Sequence, residues 1–85
     1  MDEKEILKRK AQIREFILEH ENHGGLEFGE AQSFLGHRLS CSCGAVLCIY
    51  PPDNLSDDEW ESYSIELEEY VAELEEKLGI TIAPY

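Results

Sequence analysis

Residues 37 to 48, HRLSCSCGAVLC, hold one histidine and all three cysteines of the chain. Thiolate sulfur and imidazole nitrogen are the donors that zinc takes in a tetrahedron, and structural zinc sites draw them in close pairs from tight turns. The spacing is His37-x3-Cys41-x-Cys43-x4-Cys48, so these four residues are the candidate ligands and zinc the candidate metal. Cys-x-Cys is one residue shorter than the usual zinc knuckle. On an extended strand Cys41 and Cys43 share a face, whereas Cys48 need not reach it. His20 and His23 are two further imidazoles that the end of a first helix would supply.

A second reading fits the same residues. Free cysteine packs as a small apolar side chain, and Cys48 sits in AVLCIY, a run with the character of an interior strand. A redox-active or intermolecular disulfide is a third. Catalysis by a Cys-His pair needs a base within hydrogen-bond reach and an oxyanion donor, and no motif supplies them. Gly24-Gly25 follows a helical pattern instead of opening one, so it is not a phosphate-binding loop. The chain is expected not to be an enzyme.

The elements that must position these residues follow from periodicity. From Glu3 to about Asn22, Ile6, Ile13, Phe16 and Ile17 recur at helical spacing, and Leu7, Ala11 and Leu18 are expected to widen the stripe. Gly24 and Gly25 end that helix. LEFGEAQSFLG fits either a strand or a short helix, and a short helix is expected over Glu30 to Leu35, with Ala31, Phe34 and Leu35 on one face and Gly36 just past its end. Residues 37 to 50 predict a β-hairpin turning near Ser42, Cys43 and Gly44, with Ala45 to Tyr50 as an apolar second strand. Pro51 and Pro52 end it, Asp53 and Asn54 turn the chain, and Ser56 with Glu59 matches a capping box. A second helix is predicted from Asp57 to Leu78, closed by Gly79. On it Trp60, Tyr63, Leu67, Tyr70, Val71, Leu74 and Leu78 fall within a stripe about 100° wide. The tail ITIAPY is expected to add a short strand beside the hairpin.

The chain has 85 residues and a net charge of −12, unevenly placed. Residues 1 to 52 carry eight acids against six bases, and residues 53 to 85 carry eleven acids against Lys77 alone. Acids in the first turn of the second helix complement its dipole. The later ones do not. Glu69 with Glu73, Glu66 with Glu69, and Glu73 with Glu76 are like charges at helical contact spacing, each costing roughly 0.2 to 0.5 kcal/mol. A helix built for stability alone would intersperse lysines, although a solvated acidic face also serves solubility. Such a field repels nucleic acid and anionic membranes and attracts basic proteins. Rows of carboxylates about 5 to 6 Å apart imitate the field of a phosphate backbone, which carries a charge about every 3.4 Å of axis per strand. Asp58, Glu61, Glu66, Glu68, Glu69, Glu73, Glu75 and Glu76 are the candidate partner-binding residues.

In size and charge the chain is similar to the small acidic inhibitors that phages make against host defence proteins, including anti-CRISPR proteins and other DNA mimics. The run Phe28-Gly29-Glu30-Ala31 with Leu35-Gly36 before a hairpin also resembles the start of some small phage proteins. The similarity in size and charge, and not this run, implies an inhibitor of a basic, nucleic-acid-handling protein, expected in the cytoplasm, and the acidic field itself implies no direct nucleic-acid or membrane contact. Two other functions are carried alongside it. One is a zinc-stabilised regulatory domain using His37, Cys41, Cys43 and Cys48. The other is a homodimer joined through the Trp60, Leu67 and Leu74 heptad positions, with Tyr63 and Tyr70 as exposed anchors. No stretch reaches the roughly 18 to 20 apolar residues that cross a bilayer, and the charged start MDEKEILKRK lacks the core of a signal peptide, so reduced thiols are expected. The expected fold is a single α+β domain over residues 1–85, with two long helices packed on a small antiparallel hairpin or three-stranded sheet.

Overall fold

Apolar side chains two apart make a strand with one covered face, and Leu26 with Phe28 begins such a run. The computed structural model describes residues 3–33, 35–51 and 55–84. Its elements are α1 (Glu3–His20), β1 (Leu26–Glu30), β2 (His37–Ser40), β3 (Val46–Ile49), α2 (Asp57–Leu78) and β4 (Ile82–Pro84). The class is α+β, with two helices and one four-stranded mixed sheet in the order β3-β2-β1-β4. No described helix is long and apolar enough to cross a membrane.

The strands β1, β2 and β3 form an antiparallel meander, with Phe28 opposite Leu39 and Leu39 opposite Leu47. That register places Leu26, Phe28, His37, Leu39, Cys41 and Ile49 on one face, all buried, while Glu27, Val46 and Cys48 lie exposed on the other. The helices cover the first face. Ile6, Ile13 and Ile17 from α1 and Tyr63, Leu67, Val71 and Leu74 from α2 join the strand residues in one core. Leu7, Ala11 and Leu18 do not widen the α1 stripe as expected. They are exposed, because at about 100° per residue they lie roughly 100 to 140° from Ile6, off the side that Ile13 and Ile17 bury.

The second helix matches its sequence signals. The Ser56 hydroxyl accepts a hydrogen bond from the Glu59 amide, and the Glu59 carboxylate accepts one from the Ser56 amide. The backbone hydrogen bond from Ser56 also holds the Glu59 carboxyl below its ordinary value. At the other end Gly79 adopts φ 65°, the left-handed conformation that only glycine takes cheaply, and its amide returns to the Glu75 carbonyl. Replacing Ser56 with alanine removes one half of this cap. The expected cost is about 1 kcal/mol, read as a lower urea midpoint with an unchanged slope.

Three expectations are corrected. The described residues between Glu30 and Leu35 are not helical: Glu30 ends β1, and an amide-to-carbonyl bond of 2.9 Å from Ala31 to Gly36 closes the β1–β2 connection. Sheet pairing of Leu26 and Phe28 outweighs the weak helical spacing, and Phe34 lies outside the described residues. Next, β4 does not extend the hairpin formed by β2 and β3. It pairs parallel with β1, Leu26 beside Ile82, making a fourth strand where at most three were expected. The free edge of β1 is the one α2 returns the chain to. Finally, AVLCIY is not an interior strand, because β3 lies at the sheet edge with one face open, leaving Val46, Cys48 and Tyr50 exposed. Pro51 follows the strand as expected, whereas Pro52, Asp53 and Asn54 lie outside the described residues.

Candidate functional site

The acidic face is built by α2. At about 100° per residue, the eight candidate carboxylates occupy the half of the helix opposite its buried stripe, with Asp58, Glu69 and Glu76 on the outward crest. Asp58, Glu61, Glu68, Glu69, Glu73 and Glu76 are exposed, and Glu66 and Glu75 are half-buried on the flanks. Two of the eight are engaged by lysines. Lys10 of α1 donates to Glu66 at 3.1 Å while lying 5.4 Å over the Tyr70 ring, and Lys77 donates to Glu73 at 2.8 Å. The Lys77 hydrogen bond lowers the Glu73 carboxyl from its ordinary value, and Glu73 raises Lys77 in return. On the other flank Glu68 and Glu75 border a groove shared with Phe28, Glu30 and Ile82. The candidate residues are therefore one crest and two flanks rather than a single row.

The heptad stripe of α2 is spent inside the chain. Tyr63 and Leu67 have no exposed surface, and Val71 and Leu74 are buried with them. Tyr63 is thus not an exposed anchor: its hydroxyl donates to the Tyr50 carbonyl at 3.4 Å, beside the Arg9 Nε, which donates to the same oxygen at 2.9 Å. Burial raises the Tyr63 phenol above its ordinary value. Tyr70 is half-buried under Lys10.

The four candidate zinc ligands do not converge. His37 opens β2 and Cys41 follows its last residue, roughly 13 Å away along extended chain. Cys48 belongs to the open face of the sheet, opposite Arg38 in register. All three cysteines are free thiols. Strand geometry explains the separation: neighbours in sequence are distant in space when the backbone is stretched. Cys41 is the only one of the three that fits the expectation of a buried thiol.

Among the described residues, two groups of three side chains have donor atoms within 4.8 Å of one another. One joins His20 and His23 to Cys43, so the helix-end histidines meet the hairpin turn. The other joins His37 to Glu30 and Glu68. His37 is fully buried in a box of rings, stacked 5.4 Å from Phe28 and lying 5.5 Å from Trp60 and 6.2 Å from Tyr63. Its Nε2 meets the Ser64 hydroxyl at 3.0 Å, and that hydroxyl donates to Glu30 at 3.3 Å. A hydroxyl has one proton to give, so it accepts from His37, which carries its proton on Nε2. His37 Nδ1 then holds a lone pair with no hydrogen-bond partner among the described residues. Desolvation lowers the imidazole from its ordinary value, opposed by the nearby Glu30 carboxylate.

Sequence reasoning missed the Glu30–Ser64–His37 chain. A signal for it exists: Ser64 lies at the edge of the apolar stripe of α2, about 40° from Trp60, where a hydroxyl needs a buried partner. The arrangement resembles a Ser-His pair, but Glu30 receives the serine proton instead of orienting the histidine through Nδ1. It satisfies polar groups in the core.

Comparison with protein-family models, curated proteins and solved structures finds no match to this chain.

Proposed function

We propose that the protein binds a basic, nucleic-acid-handling protein through the outer face of α2, in the cytoplasm, and inhibits it by occupying the surface that nucleic acid would take. The observation that carries this reading is the crest of Asp58, Glu69 and Glu76 with Glu61 beside it, exposed along about 27 Å of helix axis. Lys77 is the only base within residues 53 to 85, and it is paired with Glu73. Like charges at this density cost helix stability, and a basic partner surface would recover that cost on docking. The buried stripe holds the helix rigid beneath the crest, so little ordering is needed on binding.

The test is a pull-down from lysate at low and high salt, with mass spectrometry of what leaves at high salt, using the native chain and a Glu61, Glu69, Glu76 to lysine triple variant. These carboxylates are exposed, so the variant keeps its circular dichroism spectrum. Basic nucleic-acid-handling proteins should elute at high salt from the native chain. For the purified partner, the triple variant should bind on the order of 10- to 100-fold more weakly at low salt. Affinity and salt dependence unchanged by the three reversals would refute the reading.

A further inference from the structure

α1 ends at His20, and the turn that follows carries His23 back across the helix end, its amide bonded to the His20 carbonyl at 3.0 Å. The β2–β3 turn comes up against it. Gly25, at φ 64°, sits so close to Ser42 that a Cβ there would lie 2.7 Å from the serine Cβ. The Ser42 hydroxyl donates to the Gly24 carbonyl at 3.1 Å. These contacts press two turns together, and each delivers a pair of soft donors to the seam: His20-x2-His23 from one, Cys41-x-Cys43 from the other.

From this geometry we infer a structural zinc site formed by His20, His23, Cys41 and Cys43. Donor atoms of His20, His23 and Cys43 already lie within 4.8 Å of one another. Cys41 Sγ stands 3.8 Å from His23 Nδ1. Neighbouring ligands of tetrahedral zinc, bound at about 2.0 to 2.3 Å, are separated by roughly 3.3 to 3.8 Å. The Cys41–His23 distance matches that of two ligands on one ion and is long for a hydrogen bond between them. Cys41 stands outside the 4.8 Å group of the other three donors and would close on them as the ion binds. His20 Nδ1 lies 2.8 Å from the Phe16 carbonyl, which can only accept, so Nδ1 carries the proton and Nε2 offers its lone pair. A ligating histidine held by a backbone carbonyl in this way has its tautomer and ring plane fixed in advance, and stacking on Phe16 at 4.3 Å adds to that hold.

Two thiolates and two imidazoles are soft donors that select zinc over magnesium or calcium. Binding releases the two thiol protons, and the resulting site is neutral overall, with the negative end of the α1 dipole beside it. The ion would tie the end of α1 to the sheet, where the chain otherwise relies on a few turn contacts. The Glu30, His37 and Glu68 group is the weaker candidate, because it offers one imidazole and two carboxylates with no thiolate, and Glu30 already accepts from the Ser64 hydroxyl. The acidic face of α2 plays no part in this inference.

The test uses the whole chain, stripped with chelator under reducing conditions and titrated with zinc, then with cobalt as a spectroscopic probe. One zinc per chain is expected, with thiolate-to-cobalt charge-transfer bands of a tetrahedral centre. The thermal midpoint should rise by about 10 °C or more at a zinc concentration about 100 times Kd. Cys43 is exposed, so Cys43→Ser folds without metal and should lose the tight stoichiometric binding, as should His20→Gln. Cys48→Ser and Glu68→Gln should keep it. Sub-stoichiometric binding by the native chain, retention by Cys43→Ser, or loss in Glu68→Gln would each overturn the assignment.

Discussion

Leu67→Asp is expected to leave the chain unfolded, and Leu67→Ala to cost about 3 kcal/mol. Leu67 has no exposed surface and lies in the core shared by both helices and the sheet. Truncating a fully buried leucine removes its transfer free energy and leaves a cavity that neighbours only partly fill, a combined loss of about 2 to 5 kcal/mol. A domain of this size has on the order of 5 kcal/mol in total. Aspartate adds the desolvation of a charge with no partner, which exceeds that reserve. Urea titration followed by Trp60 fluorescence measures the alanine variant, and far-ultraviolet circular dichroism the aspartate one. The same substitution separates the two uses of the α2 heptad stripe. In a dimer seam, Leu67→Asp would release folded monomers; in a core, it abolishes folding. A folded, monomeric Leu67→Asp chain would contradict the packing described above.

The second large effect is acid sensitivity traced to His37. Burial holds its folded-state value below the ordinary 6.5, so the unfolded chain binds this proton more readily. Stability is therefore level above pH 7 and falls as pH drops through about 6.5 toward the lowered folded-state value. The molecular cause is specific. Protonation would put an N–H at Nδ1, where no described residue accepts it, while Phe28, Trp60 and Tyr63 keep water away. His37→Gln should be less stable at pH 7 by about 1 to 3 kcal/mol, because it disturbs the buried hydrogen bond to Ser64 and the ring packing around it, but it should lose this component of the pH slope. Denaturation midpoints between pH 8 and 5, in chelator, provide the comparison. The two proteins differ at this residue alone, so the difference isolates His37, and identical slopes would show that its burial does not govern the acid response.

What could be read in advance was whatever is encoded locally. Ser56, Glu59 and Gly79 mark the ends of α2 because a cap is a contact among near neighbours, and the 40s turn was legible for the same reason. The misreadings share another cause. β1 was hidden because Leu26 and Phe28 offer only two alternations, and its strand character comes from partners at residues 37 to 40 and 82 to 84. Cys48 looked interior because AVLCIY is apolar, but exposure depends on which strand ends up at the edge. The histidine and cysteine residues show the limit most clearly. His37 is near the cysteines in sequence and not in space, whereas His20 and His23 reach Cys43 only because α1 ends against the hairpin turn. Ligand types were readable; their grouping was a property of the tertiary fold.

The parallel pairing of β4 with β1 also sets a timetable. Ile82 joins Leu26, 56 positions earlier in the chain. At about 5 to 20 residues per second of synthesis, the β1 edge waits roughly 3 to 11 s for its partner. During that interval the three-strand meander presents an unpaired edge to any neighbouring chain on the same messenger. Glu27 and Glu30 stand on that strand, and their like charges on each nascent copy disfavour edge-to-edge pairing until the last strand arrives.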